Sequence, residues 1–555
     1  MALRGNRREP ADVVLHDHGN GPEPCLRADY VGTAANDRRR GRHHGWGRGQ
    51  TQWPIRVLLG ALTLSVVLVS AAAGIDRYLY LKYVAPQASP RQVHITSAQR
   101  TAWTKEGQEL PGRTAPVVLT FHDIATRSKS PYALTPKAFD EQLTALERAG
   151  YRTLTAQQFT DYMAGGRVPR RSVLLTFDDG TGGLWKYADR ILAKHHMHAT
   201  VFLITGSVDK HLPYYLTWRE IAKMHGSGRW DFGSHTRAMH DRRAVNAEGD
   251  EGAALANRLW LPDERRQETT AEYRARVRRD LSGSVKDIVG HGLPTPKMFA
   301  IPFSDGPRDD GVGSLVRKVL HEYFPIVMTD TSSTPLSASR RAAAAGYVQR
   351  VEVLRDTSPV RLLAKIRQNV QIPAEASAPL TDVNNWEGLQ DGVNLDVFSG
   401  RTPARAPGSP AAIHYVSADY RPRSSVDWTD YRAAAVLGSL GNGTNQASLA
   451  VRTNSKEPVD VVITQDQATL LVKGLPVDSR PLKRAARHTV TVDVGRQTTT
   501  VRVDGQVTMS HTSARKAAEL SGGITIRSGI NDEGEKWPTF KELSVVSTAP
   551  AGVRG

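Results

Sequence analysis

Residues 172–180 read Ser172-Val173-Leu174-Leu175-Thr176-Phe177-Asp178-Asp179-Gly180. A short apolar run bounded by polar residues is the pattern of a buried strand. This one ends on two adjacent carboxylates. Side by side they repel, and the repulsion raises a pKa unless a cation sits nearby. The glycine that follows lets the backbone turn sharply, so both carboxylates can aim into one cleft. In α/β sheets and barrels, the carboxyl ends of strands are where active sites gather. Taken alone, Asp-Asp-Gly is more commonly a solvated turn.

Outward from this strand, the texture is α/β. Val117 to Phe121 is another short apolar run. Pro136 to Ala149 has helical spacing, with Phe139, Leu143 and Leu146 on one face and Gly150 as a C-cap. Leu184 to His195 predicts a helix, Ala199 to Ile204 a strand, and Ala271 to Val289 a long amphipathic helix. Strands alternating with helices imply a mostly parallel sheet or barrel, assigned here to residues 113–370. A Pro- and Ala-rich linker follows over 371–384, and the texture then changes. Short alternating runs recur at Ser448–Val451, Val459–Ile463, Thr469–Val472, His488–Val494, Thr498–Val503, Gly523–Arg527 and Phe540–Val546. Asp504-Gly505 between two such runs is a hairpin turn signal. Residues 385–549 therefore predict an all-β sandwich.

Before the α/β unit come three segments. Residues 1–53 are polar and rich in Gly, Arg and His, and they predict a disordered tail. Val57 to Ile75 runs 19 residues without a charge, close to the roughly 20 an α-helix needs to cross the hydrocarbon core. A transmembrane helix is thus expected over 54–75, with a stalk over 76–112. Lys and Arg are denser before the helix than just after it. The positive-inside rule then places the tail in the cytoplasm and everything beyond the helix outside. Ala71-Ala72-Ala73 resembles a signal-peptidase site, so secretion after cleavage is the alternative.

The formal net charge is +17 across 555 residues. That balance favours acidic partners, but no zinc-finger spacing and no aromatic RNP-like strand accompanies it. Nucleic acid is not an expected partner, and nothing in the sequence names a protein partner. The single cysteine, Cys25, excludes disulfides and cysteine-rich zinc sites within one chain. Any metal must be held by His, Asp or Glu.

Such a set exists. Phe232-Gly233-Ser234-His235-Thr236-Arg237-Ala238-Met239-His240 follows the Asp-Asp-Gly turn further along the chain. Two imidazoles with one carboxylate make a three-ligand site for a divalent metal, leaving a position open for water and substrate. The histidines lie five apart, which suits a loop rather than one face of a helix.

These residues carry a resemblance. Thr176-Phe177-Asp178-Asp179-Gly180 followed by Ser234-His235-Thr236 and His240 is similar to the NodB-type polysaccharide deacetylases, the family 4 carbohydrate esterases. The likeness covers roughly residues 115 to 370, including Leu134 to Phe159 and the Arg279-Asp280-Leu281 helix. It implies a deformed (β/α) barrel and hydrolysis of an acetamide. It also implies Asp178 as base and Asp179, His235 and His240 as metal ligands, most often of zinc.

Two departures are informative. The family's usual histidine spacing is four, and no Leu-x-His motif appears near the end of the domain. Instead Thr120-Phe121-His122-Asp123 stands at the first strand. Both features resemble the branch that deacetylates poly-β-1,6-N-acetylglucosamine, which implies His122 as the general acid. Ala300 to Gly306 occupies the place of an aromatic-Pro-aromatic-Gly segment that shapes the cleft and supplies a backbone amide. Pro302 and Phe303 are its substrate-binding residues by that resemblance, although Phe303 reads equally well as core.

The expected partner is an N-acetylglucosamine polysaccharide. Peptidoglycan and chitin oligomers stay open as substrates, as does a non-catalytic surface glycan-binding protein. Arg487 to Gly505 with Gly522 to Ile526 resembles the laminin-G or concanavalin-like sandwiches. Trp386, Trp428 and Trp537 are either core or a platform for stacking sugars.

Overall fold

The computed structural model describes residues 53–79, 115–304, 311–332, 335–389, 393–401, 414–441, 445–531 and 535–549. Residues 1–52 of the expected tail, 80–112 of the expected stalk, and Asp305 and Gly306 lie outside the described residues.

Helix α1 runs Trp53–Leu79. Its stretch Val57–Leu79, 23 residues, is long and apolar enough to cross a membrane. The helix starts one residue earlier and ends four later than the expected 54–75. Nothing in Asp76-Arg77-Tyr78-Leu79 stops a helix, since no further Gly or Pro comes before Pro86. The hydroxyls of Thr63 and Ser65 donate to the carbonyls of Leu59 and Ala61 four residues back. Neither is therefore left unpaired in an apolar surrounding.

The α/β unit is built on strands Val117–Phe121 (β1), Ser172–Phe177 (β2), Ala199–Leu203 (β3), Trp230–Ser234 (β4), Met298–Ala300 (β5), Ile326–Thr329 (β6), Tyr347–Gln349 (β7) and Val351–Glu352 (β8). They pair in parallel in the order β7-β6-β5-β4-β3-β2-β1-β8. A short strand, Arg152–Thr153, also pairs with β2. The two outermost strands are consecutive in the chain, with only Arg350 between them. One extended stretch thus pairs with β6 by its first half and with β1 by its second, and the sheet curls into a near-closed barrel.

Val118, Leu174, Phe202, Met298, Ile326 and Val348 come from six strands and share one cluster inside the curl. Alternate residues such as Val117, Leu119, Val173 and Leu175 join a second cluster with Phe139, Leu143 and Leu146, as the period-2 geometry of strands requires.

Around the sheet lie α2 (Pro136–Arg148), α3 (Ala156–Met163), α4 (Asp189–Lys194), α5 (Trp218–Gly226), α6 (Thr270–Gly290), α7 (Gly311–Tyr323), α8 (Arg340–Ala345) and α9 (Pro359–Asn369). Their starts follow from the sequence. Thr135 accepts the N–H of Ala138 with Pro136 at the first turn. Thr155, Thr217 and Thr269 form reciprocal caps with Gln158, Glu220 and Glu272. The predicted helix Leu184–His195 opens with a π-helical turn, Leu184–Ala188, before α4.

The C-terminal strands are Tyr415–Tyr420 (β9), Tyr431–Gly438 (β10), Gln446–Val451 (β11), Val459–Ile463 (β12), Gln467–Val472 (β13), Leu475–Pro481 (β14), His488–Val494 (β15), Thr498–Val503 (β16), Val507–Thr512 (β17), Ile524–Gly529 (β18) and Thr539–Ser547 (β19). A short helix, Ala517–Leu520 (α10), precedes β18. One antiparallel sheet has seven strands, from Trp386–Glu387 through β9-β18-β11-β12-β13 to β14; the other has five, ordered β17-β16-β15-β10-β19. Val416, Leu449 and Ile526 of the first share a single cluster with Val490, Val501 and Val545 of the second. The Asp504-Gly505 turn joins β16 to β17 with φ of 51° and 72°, the left-handed pair a tight hairpin needs.

One detail differs from expectation, and a second decides between two readings. Ile372, Ala376 and Leu380 of the expected linker pack against this cluster, and Ala376 bridges Val545. All three tryptophans are buried there, and Trp386 and Trp428 donate their indole N–H to the carbonyls of Pro379 and Ile372. They therefore offer no stacking surface; they pin the linker down.

Candidate active site

The site forms at the carboxyl ends of the barrel strands. Asp178 follows β2 directly, and its N–H donates to the Phe121 carbonyl at the end of β1, 3.0 Å away. Its side chain is 3% exposed and faces a fully buried cation: Arg350 Nη1 and Nη2 donate to Asp178 Oδ1 and Oδ2 at 2.7 and 2.8 Å. Burial pushes this carboxyl up. The charge of Arg350, then His235, then the Arg350 hydrogen bonds outweigh it and hold Asp178 well below the usual carboxylate range. Arg350 also donates to Asp330 Oδ2 at 3.0 Å. Asp330, just beyond β6, accepts from Thr120 Oγ1 at 2.7 Å as well.

Asp179 turns the other way. Its φ is 69°, in the left-handed region, and Gly180 follows at 74°. A Cβ on Gly180 would come within 2.8 Å of Leu203. Such a φ costs a non-glycine residue about 1 kcal/mol or more, and here it separates the two carboxylates. Asp178 faces Arg350, while Asp179 Oδ1 lies 3.7 Å from His235 Nε2 and 3.4 Å from His240 Nε2.

His235 follows β4. Its Nδ1 faces the Ala300 carbonyl at 2.8 Å and must carry the proton there, which leaves Nε2 as a lone pair aimed at Asp179. Burial, above all, lowers this imidazole to about 4, so it is neutral near neutral pH. Asp280 of α6 shapes the loop between the histidines by accepting the N–H groups of Arg237 and Ala238, both at 2.8 Å. With Thr236 at φ 75°, the loop brings His240 round despite the spacing of five.

The set fits a divalent cation. One ligand atom each from Asp179, His235 and His240 lies within 4.8 Å of the others. Two ligands at about 2.0–2.2 Å from a tetrahedral centre stand about 3.3–3.6 Å apart. Asp179 Oδ1, moreover, is buried with no hydrogen-bond partner among the described residues, and an orphaned carboxylate oxygen facing two imidazole nitrogens is costly unless a cation neutralises it.

The remaining predicted residues gather here too. His122 follows β1, with Nε2 4.0 Å from Asp178 Oδ2 and its ring against Tyr132 at 4.8 Å. Its Nδ1 is buried without a hydrogen-bond partner among the described residues. Pro302 is buried. Phe303 is 44% exposed, so it is not core. Its φ of 57° turns the ring onto His240, 4.7 Å between centroids, with the Arg242 guanidinium 5.3 Å away.

Sequence reasoning missed Arg350 and Asp330. A signal existed for each. Asp330 follows the run Ile326 to Thr329 as Asp178 follows Ser172 to Phe177, and Arg350 is a cation set between Val348 and Val351. A buried strand tolerates such a cation only with an acid partner.

The fold and site together resemble one class, that of the polysaccharide deacetylase domains. Residues 165–322 match the family model described as "Polysaccharide deacetylase". Among curated proteins, the chain is similar to the poly-β-1,6-N-acetyl-D-glucosamine N-deacetylase of Staphylococcus epidermidis, with 36% identity over 118 residues, 21% of this chain and 41% of the relative. It is also similar to the protein of that name from Escherichia coli K12, with 23% identity over 270 residues, 44% of this chain and 40% of the relative. The chain thus spans about two fifths of the length of the curated relatives it matches. Among solved structures, IcaB from Ammonifex degensii aligns at 25% identity and a TM-score of 0.37, over 46% of this chain and 98% of that one.

Proposed function

We propose that this chain is a metal-dependent N-deacetylase of a poly-β-1,6-N-acetylglucosamine-type polysaccharide, anchored by α1 with residues 1–53 in the cytoplasm and the barrel outside. The observation that carries the reading is the convergence of Asp179, His235 and His240 within 4.8 Å, beside a buried, ionised Asp178. The names of the relatives supply the substrate class. The sheets of residues 385–549 complete it as a concanavalin- or laminin-G-like β-sandwich.

Asp179, His235 and His240 hold the cation, for which zinc suits the nitrogen-rich donor set. When bound, it supplies polarisation of the acetamide carbonyl and an acidified water. Asp178 accepts the proton of the attacking water. Its bidentate bond to Arg350 keeps it charged and fixes the direction of its free lone pairs. His122, whose Nε2 lies 4.0 Å from Asp178 Oδ2, donates a proton to the departing nitrogen. Phe303 forms a wall against which the sugar ring packs. Acetate and a glucosamine unit are the products.

The test is acetate release from poly-β-1,6-N-acetylglucosamine, peptidoglycan and chitin oligomers, using the zinc-loaded chain and its Asp178→Asn variant. Release from the first polymer alone, lost in the variant, is the expected result. Release only from peptidoglycan or chitin would overturn the substrate. No release from any polymer would overturn the enzymatic reading in favour of glycan binding.

A further inference from the structure

Helix α8 has only six residues, too few to hold its own shape in water. Its position is set by Ala342, buried in the inner cluster with Val348, and by what grips its ends. Ser339 Oγ accepts the N–H of Ala342 at 3.0 Å. The N–H groups of Arg340 and Arg341 go to a residue distant in sequence: Asp427 accepts them through Oδ2 and Oδ1 at 2.8 and 3.0 Å. Asp427 lies between β9 and β10, among the C-terminal strands. Its loop clasps the barrel at further points. Ser424 Oγ donates to the Gln368 carbonyl at the end of α9, at 2.7 Å, and the Ile372 N–H donates to the Ser424 carbonyl at 3.1 Å. Arg341 Nη1 reaches the Ser521 carbonyl at 3.5 Å.

At its other end, α8 passes through Gly346, φ 73°, directly into β7 and Arg350. Only nine positions separate Arg341 from Arg350. β7 pairs with β6 through three residues, the Gln349 and Arg350 N–H groups donate to the Leu336 and Thr329 carbonyls, and α8 adds its own restraint at the start of this approach to the seam.

We propose that Asp427 is a positioning residue for the deacetylase centre: by capping α8 it fixes β7, and through β7 it sets where Arg350 grips Asp178. The C-terminal sheets are on this account part of the catalytic frame. The role assigned to Asp178 above is what gives the inference its kinetic consequence. First-turn N–H groups need acceptors, and a carboxylate is the favoured one. Without it two first-turn N–H groups of α8 lose their acceptors and its start is held less firmly. A bidentate pair tolerates little displacement before geometry and rate both suffer.

The experiment uses the full-length chain in detergent, comparing wild type, Asp427→Ala, Asp427→Asn, Arg350→Lys and the double variant Asp427→Ala/Arg350→Lys. Hydrogen exchange reads position without needing activity: in Asp427→Ala, amides of residues 340–352 should exchange about tenfold faster, the rest of the barrel being unchanged. Acetate release should show kcat lower by about fivefold with KM within about twofold, Asp427→Asn intermediate because one acceptor oxygen remains. Added to Arg350→Lys, the Asp427 substitution should cost nothing more. Unchanged exchange at residues 347–352 would overturn the proposal, and so would full additivity in the double variant. An inactive wild type would count against the enzymatic reading, while the exchange data would still decide the role of Asp427.

Discussion

Arg350→Met removes the charge while keeping most of the bulk, and its effect follows from the surroundings. Arg350 and Asp178 are 0% and 3% exposed, so water cannot take over from the lost guanidinium. Removing one partner of a buried ion pair costs about 3–5 kcal/mol. At about 2–4 °C per kcal/mol for domains of this size, the unfolding midpoint at pH 7 should fall on the order of 10 °C. Acid should affect the two proteins differently. In wild type, the folded pKa of Asp178 is depressed, so its contribution is present above the unfolded value and fades as pH falls through that value toward the folded one. In Arg350→Met, burial dominates and raises the carboxyl instead. The folded state then binds the proton more readily than the unfolded state, and stability is lost as pH rises. The gap between the proteins should therefore shrink from pH 7 toward pH 4, and Arg350→Met/Asp178→Asn should be more stable than Arg350→Met at pH 7. Thermal unfolding followed by circular dichroism reads all three curves. Equal midpoints at pH 7, or a gap that widens on acidification, would refute the account of this pair.

Other expectations concern the cation, the base and the cleft. Asp178→Asn should lose about 10²- to 10⁴-fold in kcat while retaining bound metal by elemental analysis; metal loss would make Asp178 a ligand instead. His240→Ala should lower metal content from about one per chain, because two of three protein ligands hold a divalent ion poorly. With metal chelated, His235 titrates near 4 when folded, against about 6.5 unfolded. The unfolded state then binds more protons between those values, so stability should fall on acidification by up to about 3 kcal/mol. His235→Gln should lack that component, and identical pH profiles would count against it. Phe303→Ala should raise KM for the polymer several-fold with little change in unfolding midpoint, since its ring is 44% exposed.

Part of the barrel was legible because its signals are local: the strands over 117–121, 172–177 and 199–203 and the helices over 136–148 and 270–290 stand where their periods place them. Thr135-Pro136 and the Thr-x-x-Gln and Thr-x-x-Glu boxes start helices where they stand, and the run ending in Asp178 is a strand by composition alone. His235 and His240 were legible through their pattern, and Asp504-Gly505 through its turn chemistry. Arg350 was not, because its role depends on closure. Nothing near residue 350 says that β7 and β8 will land on opposite edges of one sheet. Phe303 was ambiguous between core and cleft for a similar reason: a φ of 57° decides it, and no residue type advertises that angle. The tryptophans were ambiguous because aromatic rings serve cores and sugar surfaces alike, and packing of residues 372–380 resolved them toward the core.

The seam has a consequence for incomplete chains. Arg350 follows Asp178 by 172 positions, and the stretch that matches the polysaccharide deacetylase family model ends at residue 322. A product terminated between those landmarks would carry every signature acid and imidazole yet lack the cation that tames the first of them. It would pass for an enzyme by its motifs and be an open, overcharged half-cylinder in fact.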